Sequence, residues 1–120
     1  MADSDWEAFL SEIGVTQEQM DEAARLMPAP KKEPEALYFL SKSDIAGTGV
    51  FAKQDINGYV GKLWKADDWY VAGRYINHTA SPNTIPIRFK DEIIAYGEVK
   101  KGEEITLNYR DMRKLIEHSE

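Results

Sequence analysis

A chain of 120 residues, 42% hydrophobic and 30% charged, has the composition of one soluble globular domain with room for a small appendage. It holds no cysteine and two histidines, His78 and His118, which excludes disulfides, zinc–thiolate sites and a cysteine nucleophile and leaves no metal centre to expect. The net charge of −6 lies wholly in residues 1–30, seven acids against Arg25 alone, while residues 31–120 carry fourteen acids and fourteen bases; no basic face for direct nucleic-acid binding is expected.

Residues 1–27 predict a hairpin of two short helices. Ser4 with Glu7 and Thr16 with Gln19 fit the S/T-x-x-E/Q box, in which side chain and backbone satisfy each other's orphan N–H groups. Trp6, Phe9, Leu10 and Ile13 share one helical face, and Met20, Ala23, Ala24 and Met27 share another. Gly14 closes the first helix and Pro28 stops the second. Each stripe must cover something, so the hairpin is expected to dock on the rest of the chain or on a second copy as a homodimer. This acidic segment lacks the basic and apolar regions of a signal peptide, and no apolar run approaches a membrane span. An intracellular protein without a membrane partner is expected.

Residues 28–35, "PAPKKEPE", hold three prolines and predict an extended linker. From residue 36 the period becomes that of strands, in "ALYFLSKS", "GVFAK", "YVGKLW", "IPIRFK", "EIIAYG" and "EEITLNY". Glycines and acid-rich turns separate them, with Asp67, Asp68, Glu103 and Glu104 expected at turn or solvated positions. The tail at 111–120 has helical spacing at Met112, Leu115 and Ile116. The fold class is therefore mainly β within an α+β domain, its many short strands lying between flanking helices.

Three stretches are candidates for chemistry. Gly47-Thr48-Gly49 precedes an apolar strand; it admits a close backbone approach to a ligand or, more commonly, a hairpin turn. "GRYINHTASPNT" at 73–84 sets Asn77 and His78 after an apolar pair, which suits either a polar ligand or a strand-end cap. Tyr109 closes an alternating strand, as a cleft phenol or a rim tyrosine with a satisfied hydroxyl. No serine–histidine–acid set and no phosphate-binding loop is present.

In this order the three stretches resemble the SET domain family of protein-lysine methyltransferases. The family's "GxGVFA" stands here as "GTGVFA" at 47–52, "RFINHSCxPN" as "RYINHTASPN" at 74–83, and "GEELTxxY" as "GEEITLNY" at 102–109. The resemblance spans about residues 37–110, within a SET-like domain expected at 36–110. It implies a β-clip of small curved sheets whose last strand passes through a preceding loop as a C-terminal pseudoknot, an exception to unthreaded chains.

The same resemblance implies S-adenosyl-L-methionine as cofactor and a lysine-containing protein or peptide as substrate. It would place Gly47, Thr48 and Gly49 at the cofactor's methionine end, with Arg74, Tyr75, Asn77 and His78 also in its pocket. Tyr109 matches the catalytic tyrosine of the family, and Tyr75 the aromatic beside the lysine channel. The segment between "GVFA" and "RYINH" is shorter than in most of the family, which leaves Trp64, Trp69 and Tyr70 to wall the channel. Ala80 replaces the family's cysteine and no cysteine-rich tail follows, so the tail helix, the N-terminal hairpin or a second subunit must close the site. Short free-standing members of this kind occur in viruses and bacteria, and a viral source is expected. Two functions remain open, a minimal lysine methyltransferase and a catalytically silent module for binding or assembly.

Overall fold

The computed structural model describes residues 4–26, 29–65, 68–87 and 91–111. Met27, Pro28, Asp67, the tail beyond its first helical turn at 109–111, and the side chain of Trp64 lie outside the described part. Helices α1 (Ser4–Ile13) and α2 (Gln17–Leu26) form the expected hairpin. The Gln19 amide N–H donates to Thr16 Oγ1 at 3.1 Å, and Thr16 N–H donates to Gln19 Oε1 at 2.9 Å. Both halves of that capping box are thus formed. The two helices spend their apolar stripes differently. Phe9 and Leu10 of α1 are buried, whereas in the α2 stripe Met20 is half-buried and Ala23 exposed.

The strands are β1 (Tyr38–Lys42), β2 (Thr48–Ala52), β3 (Tyr59–Lys62), β4 (Trp64–Lys65), β5 (Asp68–Trp69), β6 (Asn77–His78), β7 (Thr84–Ile87), β8 (Glu92–Ala95) and β9 (Glu104–Leu107), with helix α3 (Val71–Tyr75) before β6. They form three small sheets, in the orders β1-β2-β9-β6, β3-β8-β7 and β4-β5. β6 and β9 run parallel, pairing Asn77 with Thr106 and His78 with Leu107. That pairing brings the second and third sequence motifs side by side.

β9 is the strand expected to pass through a preceding loop, and it is held from several directions. β2 pairs with it through Val50 and Ile105. Asn83 imitates a further strand, its amide donating to Glu104 O at 2.8 Å and its carbonyl accepting from Thr106 N–H at 2.9 Å. Thr84 Oγ1 donates to Thr106 O at 2.6 Å. Ile105 and Leu107 are fully buried with Val50, Val60, Leu63 and Ile93. Each such side chain removed from water stabilises by about 1.5–3 kcal/mol.

Two segments depart from the sequence expectation. Helix α3 runs from the end of the short insert into the first two residues of "RYINHTASPN", and it packs hard on the end of β3. Tyr70 N–H donates to Leu63 O at 3.0 Å, and a Cβ on Gly73 would stand 2.1 Å from that same carbonyl oxygen. The proline-rich segment is strapped down and turns at Pro34 and Glu35, where Glu35 has a positive φ. Lys31 N–H donates to Trp69 O at 2.8 Å, and its carbonyl accepts from Val71 N–H at 2.9 Å. The Glu33 carboxylate accepts from Lys62 N–H at 2.8 Å and from the Tyr59 hydroxyl at 2.9 Å. Among the described residues no helix is long and apolar enough to cross a membrane.

Candidate active site

The turn at 43–47 joins β1 to β2 and is closed by Ser43 N–H donating to Gly47 O at 2.8 Å. The Ser43 hydroxyl donates to the Glu104 carboxylate, 2.7 and 2.8 Å from its two oxygens. Asn77 Nδ2 donates to the same carboxylate at 2.8 Å and to Ala46 O at 3.0 Å. One acid from the third motif therefore ties the glycine turn to the Asn–His motif. Glycine at position 49 is what permits it, because a Cβ there would lie 2.4 Å from Glu104 Oε2 and 2.9 Å from Ser43 Cβ.

Glu104 was expected among solvated turn acids, and here the structure corrects the sequence. It is half-buried and opposes Phe51 in the β2–β9 register. Its neighbour Glu103 keeps the turn role, accepting from Lys100 N–H at 2.6 Å. The available signal was alternation, since Glu104 opens the strand pattern that continues through Thr106.

His78 is buried and Tyr109 half-buried, their rings 5.1 Å apart. Tyr109 N–H donates to His78 Nδ1 at 3.0 Å. The Tyr109 hydroxyl donates to the carbonyl of Ile76, the residue that links α3 to β6. Burial pushes the Tyr109 pKa upward and the Glu104 charge adds to this, so the phenol keeps its proton at neutral pH.

Helix α1 lies over this pair. The Phe9 ring is 4.8 Å from His78 and meets Tyr109 edge-on at 5.5 Å; Trp6 meets Tyr109 edge-on at 5.7 Å. Asp5 accepts from Ala80 N–H at 3.0 Å, and Arg110 Nε donates to Glu12 at 2.8 Å. Among the described residues, the chain's own first helix covers His78 and Tyr109. Trp6 and Phe9 were missed as site residues because an amphipathic stripe does not say what it will cover.

Arg74 and Tyr75 end α3, with the guanidinium 5.2 Å from the Tyr75 ring centre and Tyr75 packed on the core. Trp69 and Tyr70 are placed by a different set of contacts. Trp69 pairs with Trp64 across the β4–β5 hairpin, and the Lys62 ammonium stands 5.7 Å from the Tyr70 ring centre. A cavity of ≈ 350 Å³ opens between the hairpin and the glycine turn, lined by Trp6, Gln17, Lys42, Asp44 and the turn as far as Gly47.

A model of the SET domain matches residues 15–110. The chain belongs to the SET domain family. The match takes in α2, the linker and the nine described strands of this SET domain, and α1 precedes it. No curated protein matches the chain. Among solved structures, a humanized mutant of the Chaetomium thermophilum Polycomb Repressive Complex 2 bound to the inhibitor GSK126 is similar at 25% identity, with a TM-score of 0.45 over 63% of this chain and 15% of that one. The structure described as ctPRC2 in an autoinhibited conformation bound to S-adenosylmethionine is similar at 24% identity, with a TM-score of 0.44 over 68% of this chain and 17% of that one. This SET domain thus spans about a sixth of either neighbour's chain.

Proposed function

We propose that this SET domain transfers a methyl group from S-adenosylmethionine to the side-chain amine of a lysine in a protein or peptide. The observation that carries this is the meeting of the Tyr109 hydroxyl with the Ile76 carbonyl directly behind Asn77 and His78. Two oxygens at one point, with the glycine turn tied to the same motif through Asn77, suit a site that surrounds a small transferring group.

Gly47, Thr48, Gly49, Arg74, Tyr75, Asn77 and His78 would hold the cofactor. The Asn77 amide is committed to Ala46 and Glu104, so Asn77 would meet the cofactor through its backbone. Of these seven Gly47 lines the cavity at the glycine turn, whose ≈ 350 Å³ falls within the roughly 300–1,000 Å³ usual for small-molecule sites.

When bound, S-adenosylmethionine supplies an electrophilic methyl on a sulfonium centre. The chain's own residues would prepare the acceptor. Lysine has a reference pKa of about 10.4 and must arrive unprotonated. Aromatic walls from Tyr75, Trp69, Tyr70 and Tyr109 would desolvate the ammonium and favour the neutral amine. Tyr109 is a neutral phenol at neutral pH, and burial raises its pKa further, so it places no anion beside that amine. What remains is alignment of donor and acceptor, which narrow walls provide.

A second reading has its own observation, because Trp6 and Phe9 lie directly against Tyr109. That cover suits a catalytically silent module whose hairpin serves assembly or partner binding. Isotope-labelled S-adenosylmethionine with lysine-containing peptides separates the two. Label on lysine that falls about 10²-fold in Tyr109→Phe supports the enzyme. Cofactor binding with no transfer to any lysine selects the silent module.

A further inference from the structure

We infer that α1 is a fixed wall of the cofactor site and that Trp6 is its contact with the cofactor's purine, an assignment that rests on the methyltransferase reading. The cavity at the glycine turn is bounded on one side by the hairpin, through Trp6 and Gln17, and on the other by the run from Lys42 to Gly47. Trp6 is the only aromatic among the described residues that line it. The ligand's chemistry divides the same way. Its amino-acid end carries a carboxylate and an ammonium, which match Lys42 and Asp44. Its purine has a flat π face, which matches an indole.

Trp6 is held in place before any ligand arrives. Its indole N–H donates to Gln17 Oε1, and the Gln17 amide in turn donates to Asp21 at 2.9 Å. The indole lies near-parallel to Phe9 with ring centres 6.0 Å apart, and edge-on to Tyr109. An aromatic side chain fixed from both ends loses little freedom when a ligand stacks on it.

The same contacts distinguish a wall from a plug. Phe9 and Leu10 are buried, and the polar ties of α1 end on Ala80 and Arg110, beside the second and third motifs. With α1 docked in this way the cavity is still open. The helix therefore borders the ligand's space without filling it. It also lies ahead of the segment matched by the SET domain model, so this wall is an addition to the matched domain.

Calorimetric titration of S-adenosylmethionine into the full chain tests the assignment, comparing wild type with Trp6→Ala and Trp6→Phe. Trp6→Ala is expected to bind about tenfold or more weakly and Trp6→Phe within about threefold of wild type. Equal or tighter binding by Trp6→Ala overturns the wall and leaves the methyltransferase reading standing. No binding by wild type overturns both. Should Trp6→Ala not fold, the indole N–H resonance of wild type, identified by its loss in Trp6→Phe, gives an independent measurement. It is expected to shift as cofactor fills the site; an unmoved resonance at saturation overturns the assignment.

Discussion

Glu104 accepts a hydrogen bond from the Asn77 amide at 2.8 Å while its carboxylate also takes the Ser43 hydroxyl at 2.7 Å. Glu104→Ala would leave both donors without that acceptor in a half-buried setting. Unmet groups of this kind cost about 1–3 kcal/mol. Glu104→Gln keeps one side-chain acceptor and is expected to cost less. Urea unfolding with an unchanged m-value is the measurement. Equal stability of all three proteins would show that the carboxylate does not hold the motifs together.

Three glycine substitutions should separate close approach from open space. A Cβ at Gly73 would strike the backbone carbonyl of Leu63, which cannot move aside without shifting the strand end. A Cβ at Gly49 would strike the end of the Glu104 side chain, which can yield at the expense of its hydrogen bonds, and Ser43 Cβ at 2.9 Å, which yields only with a small shift of its turn. Gly58 has nothing within 4 Å of the added atom. Overpacking costs about 1–3 kcal/mol and more where backbone is met. The expected order of melting temperature is Gly58→Ala near wild type, then Gly49→Ala, then Gly73→Ala.

Alkaline stability follows from the tyrosines. Burial raises the pKa of Tyr109, with the Glu104 charge adding; burial also raises Tyr38, with the Glu33 charge adding. In the unfolded chain these phenols ionise near pH 10. The unfolded state therefore loses protons first as pH climbs, and stability falls with it. Below about pH 10 the contribution is fully present. Unfolding free energies from about pH 8 to about pH 11 should decline above pH 10, and less steeply in Tyr109→Phe. An identical slope in that variant would contradict the burial of Tyr109.

Much of the frame was legible because its signals are local. The Thr16–Gln19 box needs four residues, and both of its bonds are present. The strand stretches from "ALYFLSKS" to "EEITLNY" kept their period and became β1, β2, β3, β7, β8 and β9. The sheet neighbours were another matter. Helix α3 is five residues long and contains Gly73, too short for a periodic stripe; it is fixed by Leu63 and Lys31, which lie elsewhere in the chain. Glu104 looked like its solvated neighbour Glu103 because its partners, Ser43 and Asn77, are 61 and 27 residues away. The target of the Trp6–Phe9 face was equally hidden, since it depends on β6 and β9 pairing first.

That hidden contact yields the last expectation, about what keeps α1 in place. Two kinds of interaction are available, and their magnitudes differ. The Glu12–Arg110 pair is partly solvated, with side chains 48% and 34% exposed, and pairs of this sort stabilise by about 0–1 kcal/mol. Phe9 is buried against His78 and Tyr109, and truncating a buried phenylalanine costs about 3–5 kcal/mol. Phe9→Ala is therefore expected to strip hydrogen-exchange protection from the amides of α1 while those of β2 and β9 stay protected. Glu12→Ala should leave α1 protected. The reverse ranking would mean that the surface pair, and not the aromatic contact with the site, docks the helix.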